Sequence, residues 1–391
     1  MTAILSILSR NRHLRAIFLA NFLIAFHYFL IIYINSSLLT RFFSASAVSL
    51  IFVLGSVLNL ILLLEAPWLI RRTGVFFTLI LWSAAELVAV WLLAVSSIPW
   101  LVAGAFIVHQ GVVMMIVFAL DILLETVIKK ETNTGLIRGG YLTVANGSLV
   151  VAPLLVSLIV AGENYRPLYL LSSILLIPFF LLAFSSLRQI ESYQEETSIP
   201  ETIRQITSHP NIMRVSMAQL TLQFFYAWMV IYTPIYLHGV VGFSWQTIGQ
   251  IFTVMLLPFI MLGIPVGRLA DRKLGEKEMM FAGFIIMALA SFLIPSLKVA
   301  AVLPWMILLF FSRIGASLTE TTNESYFFKQ VKGKDAHIVS FFRLMRPIAF
   351  ILAPALAWLS LSTFGLREMF YLLALVTASG LWYTARLRDT R

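Results

Sequence analysis

Charged residues in this chain fall in short clusters between long runs with no Asp, Glu, Lys or Arg: 16–40, 42–64, 87–120, 139–162, 167–187, 215–267, 279–297, 347–366 and 369–385. A bilayer crossing needs ~20 mostly apolar residues, and most of these runs reach or exceed that length. They lack the alternating polarity that a barrel strand requires. The crossings are therefore helices, which satisfy their backbone polar groups internally. The pattern predicts twelve, at roughly 14–36, 46–68, 75–95, 99–122, 139–161, 167–187, 213–237, 246–266, 279–296, 301–322, 339–361 and 367–386. The long run 87–120 is split between two crossings at Ser96-Ser97-Ile98-Pro99. Arg10, Arg12 and Arg15 before the first run and Ala45-Ser46-Ala47 after it imitate a cleaved leader. That run exceeds the ~7–15 residues of a leader core, so it is expected to be a retained span.

An even number of spans puts both termini on one side. The loops on that side, with the termini, carry 23 of the Lys and Arg residues, and the opposite set carries Arg41, Arg166, Lys298 and Arg367. Arg313 lies within a span. This asymmetry predicts cytoplasmic termini, in a multi-pass protein of a bacterial inner (plasma) membrane. The net charge of +10 then reflects topology, and no nucleic-acid partner is expected. The 60% hydrophobic and 12% charged composition agrees with a chain whose main solvent is lipid. With no Cys, disulfide and thiol chemistry are excluded.

The chain repeats itself. "FHYFLIIYINSSLL" (26–39) resembles "FYAWMVIYTPIYLH" (225–238). Phe26/Phe225, Ile32/Ile231, Tyr33/Tyr232 and Leu38/Leu237 match at a shift of 199, which Arg15/Arg214, Asp121/Glu320 and Glu125/Glu324 keep. Pro67/Pro265 shift by 198, and Ala152-Pro153/Ala353-Pro354 by 201. Six spans per copy insert both copies in the same orientation. The predicted fold is an all-α polytopic membrane protein of twelve transmembrane helices in two parallel, pseudo-repeated six-helix bundles. The expected domains are 1–187, a cytoplasmic linker 188–212, and 213–391. Ser198-Ile199-Pro200-Glu201 has capping-box spacing, so a short surface helix is expected over 199–208.

"GRLADRKLGEK" (267–277) interrupts the apolar chain between the eighth and ninth spans. Gly267, Arg268, Leu269, Ala270, Asp271, Arg272 and Gly275 resemble the signature loop of the major facilitator superfamily, G-x-L-a-D-r-x-G-r-k, with one extra residue before the second glycine. The equivalent first-half loop keeps only Arg71-Arg72-Thr73-Gly74. By architecture the resemblance covers the whole chain. It implies a cytoplasmic latch: Asp271 against the start of the fifth span, Arg268 or Arg272 against Glu320 and Glu324, and Arg71 and Arg72 against Asp121 and Glu125. A carboxylate favours a helix N-terminus, and such ion clusters hold one conformation and release in another. The fifth-span antiporter pattern of that family survives only as Gly139, Ser148, Ala152, Pro153, Val156 and Ser157, and Gln110-Gly111 lacks the accompanying Arg, replaced by Ile107. Both departures weaken an antiporter reading.

Ionisable groups inside spans are costly and mark function. Arg313, Ser317, Glu320 and Glu324 share one face of the tenth span. Arg313 can bind an anion or neutralise Glu320. Glu320 fits either a proton-coupling or a latch role, and Asp121 is its repeat mate. Gln110, Met114, Asp121 and Glu125 share a face of the fourth span beside His109. Glu86, midway along the third span, is expected to be a hydrogen-bonded carboxyl with no assigned role. Asn21, Tyr28 and Asn35 with His27 on the first span, and Gln219, Gln223, Tyr226 and Trp228 on the seventh, fit either a substrate cavity or interhelical hydrogen bonds.

No G-x4-GK[ST] nucleotide loop, H-E-x-x-H zinc motif or G-x-S-x-G elbow is present. No cofactor, no metal and no enzyme activity are expected. The reading is a secondary active transporter that moves a small solute by alternating access, functional as a monomer in the bilayer. It leans toward proton-coupled efflux of small amphipathic molecules. Uptake of a sugar, nucleoside or organic acid is the rival, and a non-transporting receptor or intramembrane enzyme is a remote alternative.

Overall fold

A computed structural model describes residues 8–9, 11–128, 134–160, 162–190, 209–262, 265–266, 269–270, 274–330, 336–361, 363 and 365–388. The expected helix at 199–208 and Gly267, Arg268, Asp271 and Arg272 of the signature loop lie outside the described residues. The regular elements are helical: α1 (Arg12–Ile31), α2 (Asn35–Thr40), α3 (Ala45–Thr73), α4 (Val75–Val95), α5 (Pro99–Ile128), α6 (Thr134–Ile159), α7 (Arg166–Leu182), α8 (Pro210–Gly239), α9 (Trp245–Met261), α10 (Glu276–Leu293), α11 (Val302–Gln330), α12 (Ala336–Leu361) and α13 (Met369–Ala385). Ten of the membrane-crossing segments are clearly long and apolar enough to span, and α9 and α13 are shorter apolar helices. At 17 residues each, both still reach the lower limit of about 17 for a crossing.

Local chemistry sets the helix starts. The Asn11 side chain accepts from the backbone amides of His13 and Leu14 and caps α1. Ser244 caps α9 by accepting from the Thr247 amide. The first predicted span is not one helix: it breaks after Ile31, and α2 begins at Asn35. An unbroken apolar run cannot distinguish helix from turn, because both bury the same side chains.

Close contacts divide the chain into two compact units. One comprises residues 1–43 with 54–196, the other residues 44–53 with 197–391. The start of α3 therefore groups with the second unit. In the first unit α1 packs on α5, α6 and α7, and α4 on α5 and α7. In the second unit α8 packs on α11, α12 and α13, and α10 on α11 and α13. Each of these pairings in one unit has its counterpart in the other, so the sequence repeat is also a repeat of packing. Leu14, Ile17, Ile24, Leu79, Leu120 and Phe179 belong to the core of the first unit. In the second, Phe327 stacks on Phe342 at 4.0 Å beside Met280 and Tyr326. Large apolar side chains also cover the outside, with Trp100, Leu158, Leu181 and Leu375 all more than two-thirds exposed. Exposed apolar surface on this scale matches a lipid-facing protein.

Gly74 and Gly275 head α4 and α10 with φ of 82° and 85° and ψ of 156° and 154°. That backbone is open essentially to glycine alone. The glycines before these two helices thus keep the same backbone geometry.

Candidate functional site

Polar side chains converge at one place in each unit. In the first unit the centre is Glu86, fully buried on α4. Its Oε1 lies 2.8 Å from His27 Nε2 on α1 and 2.6 Å from His109 Nδ1 on α5. The far nitrogens of both rings are also held. His27 Nδ1 lies 2.9 Å from the Ser172 carbonyl oxygen, and His109 Nε2 lies 3.3 Å from Asn35 Nδ2. Tyr169 donates to Asn35 Oδ1 at 2.6 Å. Four long helices and α2 therefore meet at one carboxyl group. Glu86 Oε2 is buried without a partner among the described residues. The two histidine nitrogens and the carboxylate oxygen lie within 4.8 Å of one another.

In the second unit the polar face of α11 meets α8. Asn323 Nδ2 donates to Gln219 Oε1 at 2.7 Å, and the Tyr226 hydroxyl donates to Glu320 Oε2 at 3.1 Å. Ser317 Oγ donates to the Pro258 carbonyl of α9 at 3.3 Å. Arg313 is 2% exposed, and its guanidinium stands 5.2 Å from the Phe225 ring. Arg313 Nη1 has no hydrogen-bond partner, and no ion pair to Arg313 is present among the described residues. Aromatic rings flank this face. Phe224 and Tyr232 each stand 5.4 Å from Trp228, and Phe259 stands 6.1 Å from Tyr226.

The other candidates fall elsewhere. Asn21 donates to the Tyr141 carbonyl at 2.8 Å and ties α1 to α6. Tyr28 is buried, its ring centre 6.4 Å from that of His109. Gln110 packs on Gly55, where an added Cβ would stand 2.7 Å from Gln110 Cβ. Gln223 is buried on α8. Asp121, Glu125 and Glu324 are half-buried, and Arg71 and Arg72 are exposed. Arg72 stands 4.4 Å over the Trp68 ring. Glu276, at the start of α10, is buried and paired with Lys329, with Ser325 donating to the same oxygen. The sequence reading did not single out Glu276, Lys329, Tyr169 or Ser172. Glu86 carried a signal as a lone acid in an apolar span, but its partners lie on other helices.

The chain matches the model of the Major Facilitator Superfamily over residues 17–333 and 241–391. No curated protein matches it in sequence. Among solved structures it is similar to one described as an auto-inhibited POT family peptide transporter, at 12% identity and a TM-score of 0.78, over 97% of this chain and 98% of that one. At that identity the likeness concerns the fold. Helix number, repeated packing and the family match converge, and the chain belongs to the Major Facilitator Superfamily of membrane transporters.

Proposed function

We propose that this transporter is a proton-coupled secondary carrier that exports small amphipathic molecules, with Glu320 as a coupling carboxyl. The observation that carries the reading is the Tyr226–Glu320 bond, which gives an acid inside a span a phenol as its hydrogen-bond partner, with Arg346 and Glu324 as the charged groups acting on it. A carboxyl bonded to a phenol can take up and lose a proton with that partner still in place. The surrounding rings of Phe224, Trp228, Tyr232 and Phe259 suit an apolar body, and Gln219, Gln223 and Asn323 offer polar contacts for a head group. Arg313 favours a second reading, uptake of an anionic solute. A peptide, the substrate class in the structural neighbour's description, would present a carboxylate to such a group.

The test is reconstitution into vesicles with an internal pH dye, an imposed gradient, and pooled drugs, peptides, sugars and organic acids. Substrate-dependent proton flux should fall more than about tenfold in Glu320→Gln, since an essential proton-transfer group contributes at least that much. Undiminished flux in the variant would remove Glu320 from coupling and leave it a latch partner. Flux only with anions, lost in Arg313→Gln, would favour the second reading.

A further inference from the structure

The hydrogen-bonding atoms around Glu86 fix a proton count. The Ser172 carbonyl can only accept, and Ser172 Oγ, 2.7 Å from His27 Nδ1, gives its own hydrogen to the His27 carbonyl at 2.9 Å, so His27 Nδ1 carries a hydrogen. Asn35 Nδ2 donates to His109 Nε2, because Asn35 Oδ1 is occupied by the Tyr169 hydroxyl. His109 is therefore neutral, with its hydrogen on Nδ1 pointing at Glu86 Oε1. The remaining contact is the 2.8 Å between His27 Nε2 and Glu86 Oε1. It needs one proton, borne by either atom, and with that proton the cluster is neutral. Without it, a lone pair faces a carboxylate at hydrogen-bond distance inside a fully buried site, and α1 and α4 must part.

The surroundings leave this proton as the adjustable charge. The titratable groups facing the cluster are His27 and Tyr28 from α1, Glu86 from α4, His109 from α5 and Tyr169 from α7. Glu86 has ion-pair contacts with the two histidines and with no Lys or Arg among the described residues. A path lies nearby. A cavity of about 590 Å³ in the same unit opens where the connections after α2, α4 and α6 meet, with Arg41, Glu163 and Arg166 among its lining residues. Its walls include Leu38, Leu93 and Tyr165. Leu38 is one turn from Asn35, Tyr165 one turn from Tyr169, and Leu93 about 10 Å along α4 from Glu86. The 3.3 Å Asn35–His109 bond is the longest in the cluster.

We propose that His27, Glu86 and His109 form a proton-binding site in the first unit, loaded from this cavity when the Asn35–Tyr169 pair moves aside. A hydronium ion in the cavity would give its proton to the Glu86 Oε1–His27 Nε2 contact and leave as water, and unloading is the reverse. A divalent metal fits less well. Tetrahedral ligands about 2.0–2.1 Å from zinc stand about 3.3 Å apart, whereas both nitrogens approach Oε1 within hydrogen-bond distance. The inference goes beyond the role given to Glu320 and stands without it.

The test needs no substrate, so it is separate from the transport reading. Full-length protein with ¹⁵N-labelled histidine is placed in lipid bilayers and followed by solid-state NMR over about pH 5–9, the range in which histidine titrates. The expected result is that one histidine shielded from deuterium exchange changes protonation while a second shifts with it, and that Glu86→Gln uncouples them. Two shielded histidines that keep one protonation state throughout would overturn the proposal. So would a stoichiometric divalent metal in the purified wild type, lost in His27→Gln and His109→Gln.

Discussion

Inside a bilayer a buried amide has no water to turn to. Asn323 meets this constraint by donating to Gln219 on the facing helix. Asn323→Ala would leave Gln219 Oε1 buried with no donor, which costs about 1–3 kcal/mol. The midpoint of thermal unfolding in detergent should fall measurably, and an unchanged midpoint would mean that another group or water replaces the bond. Arg72 over Trp68 is a contrasting case. The pair is exposed, a setting in which a cation–π contact is worth only about 0.5–1 kcal/mol. Trp68→Leu should therefore shift the same midpoint far less. The two cases show why residue type alone did not reveal the sites. Asn21 and Gln219 both read as cavity amides in sequence. In the structure one ties α1 to the backbone of α6, and the other joins the polar face shared by α8 and α11.

At the scale of elements, helix spacing is set by what is missing. α10 and α11 cross at Gly283 and Gly315, where a Cβ on Gly315 would stand 2.6 Å from the Gly283 carbonyl oxygen. Gly315→Val should push the helices apart and destabilise by several kcal/mol, as overpacked cores do. Loss of monodisperse protein on size exclusion would report it, and a normal profile with normal stability would show that the crossing can yield. Gly275→Ala and Gly74→Ala should each cost about 1–2 kcal/mol through positive φ, and by similar amounts because the two turns match. The sequence located these elements well because charge is excluded from the hydrocarbon region. It placed their ends less well for the same reason. α3, α5 and α11 continue to Thr73, Ile128 and Gln330, past Arg71, Asp121, Glu125 and Glu324. Charges mark the edge of the lipid and not the last hydrogen bond of the helix.

At the scale of the whole molecule, two copies of one packing plan hold different polar centres. The first gathers histidines around an acid, and the second gathers amides, a phenol, an acid and an arginine on α8 and α11. The plan was readable in sequence because repeat mates keep a near-constant offset. The first centre was not, because His27, Glu86 and His109 lie far apart in the chain and meet only when three helices pack. The cysteine-free chain allows a direct check of orientation. A single Cys at Ser97 should react with an impermeant maleimide added outside cells, and one at Thr73 only after permeabilisation. The reverse pattern would invert the topology expected from the loop charges.

Arg313 lies about 16 Å along α11 from its start at Val302, deep in the span, with no ion pair among the described residues. A fixed, unneutralised charge at that depth feels the electrical potential across the membrane, worth ~2.3 kcal/mol per elementary charge per 100 mV for full passage. Any rearrangement that moves α11 along the field therefore does electrical work, even when the cargo is neutral. The turnover of this carrier should respond to a potassium diffusion potential set with valinomycin, and Arg313→Gln should lose much of that response. The cell's voltage would then be an input to the transport cycle in its own right.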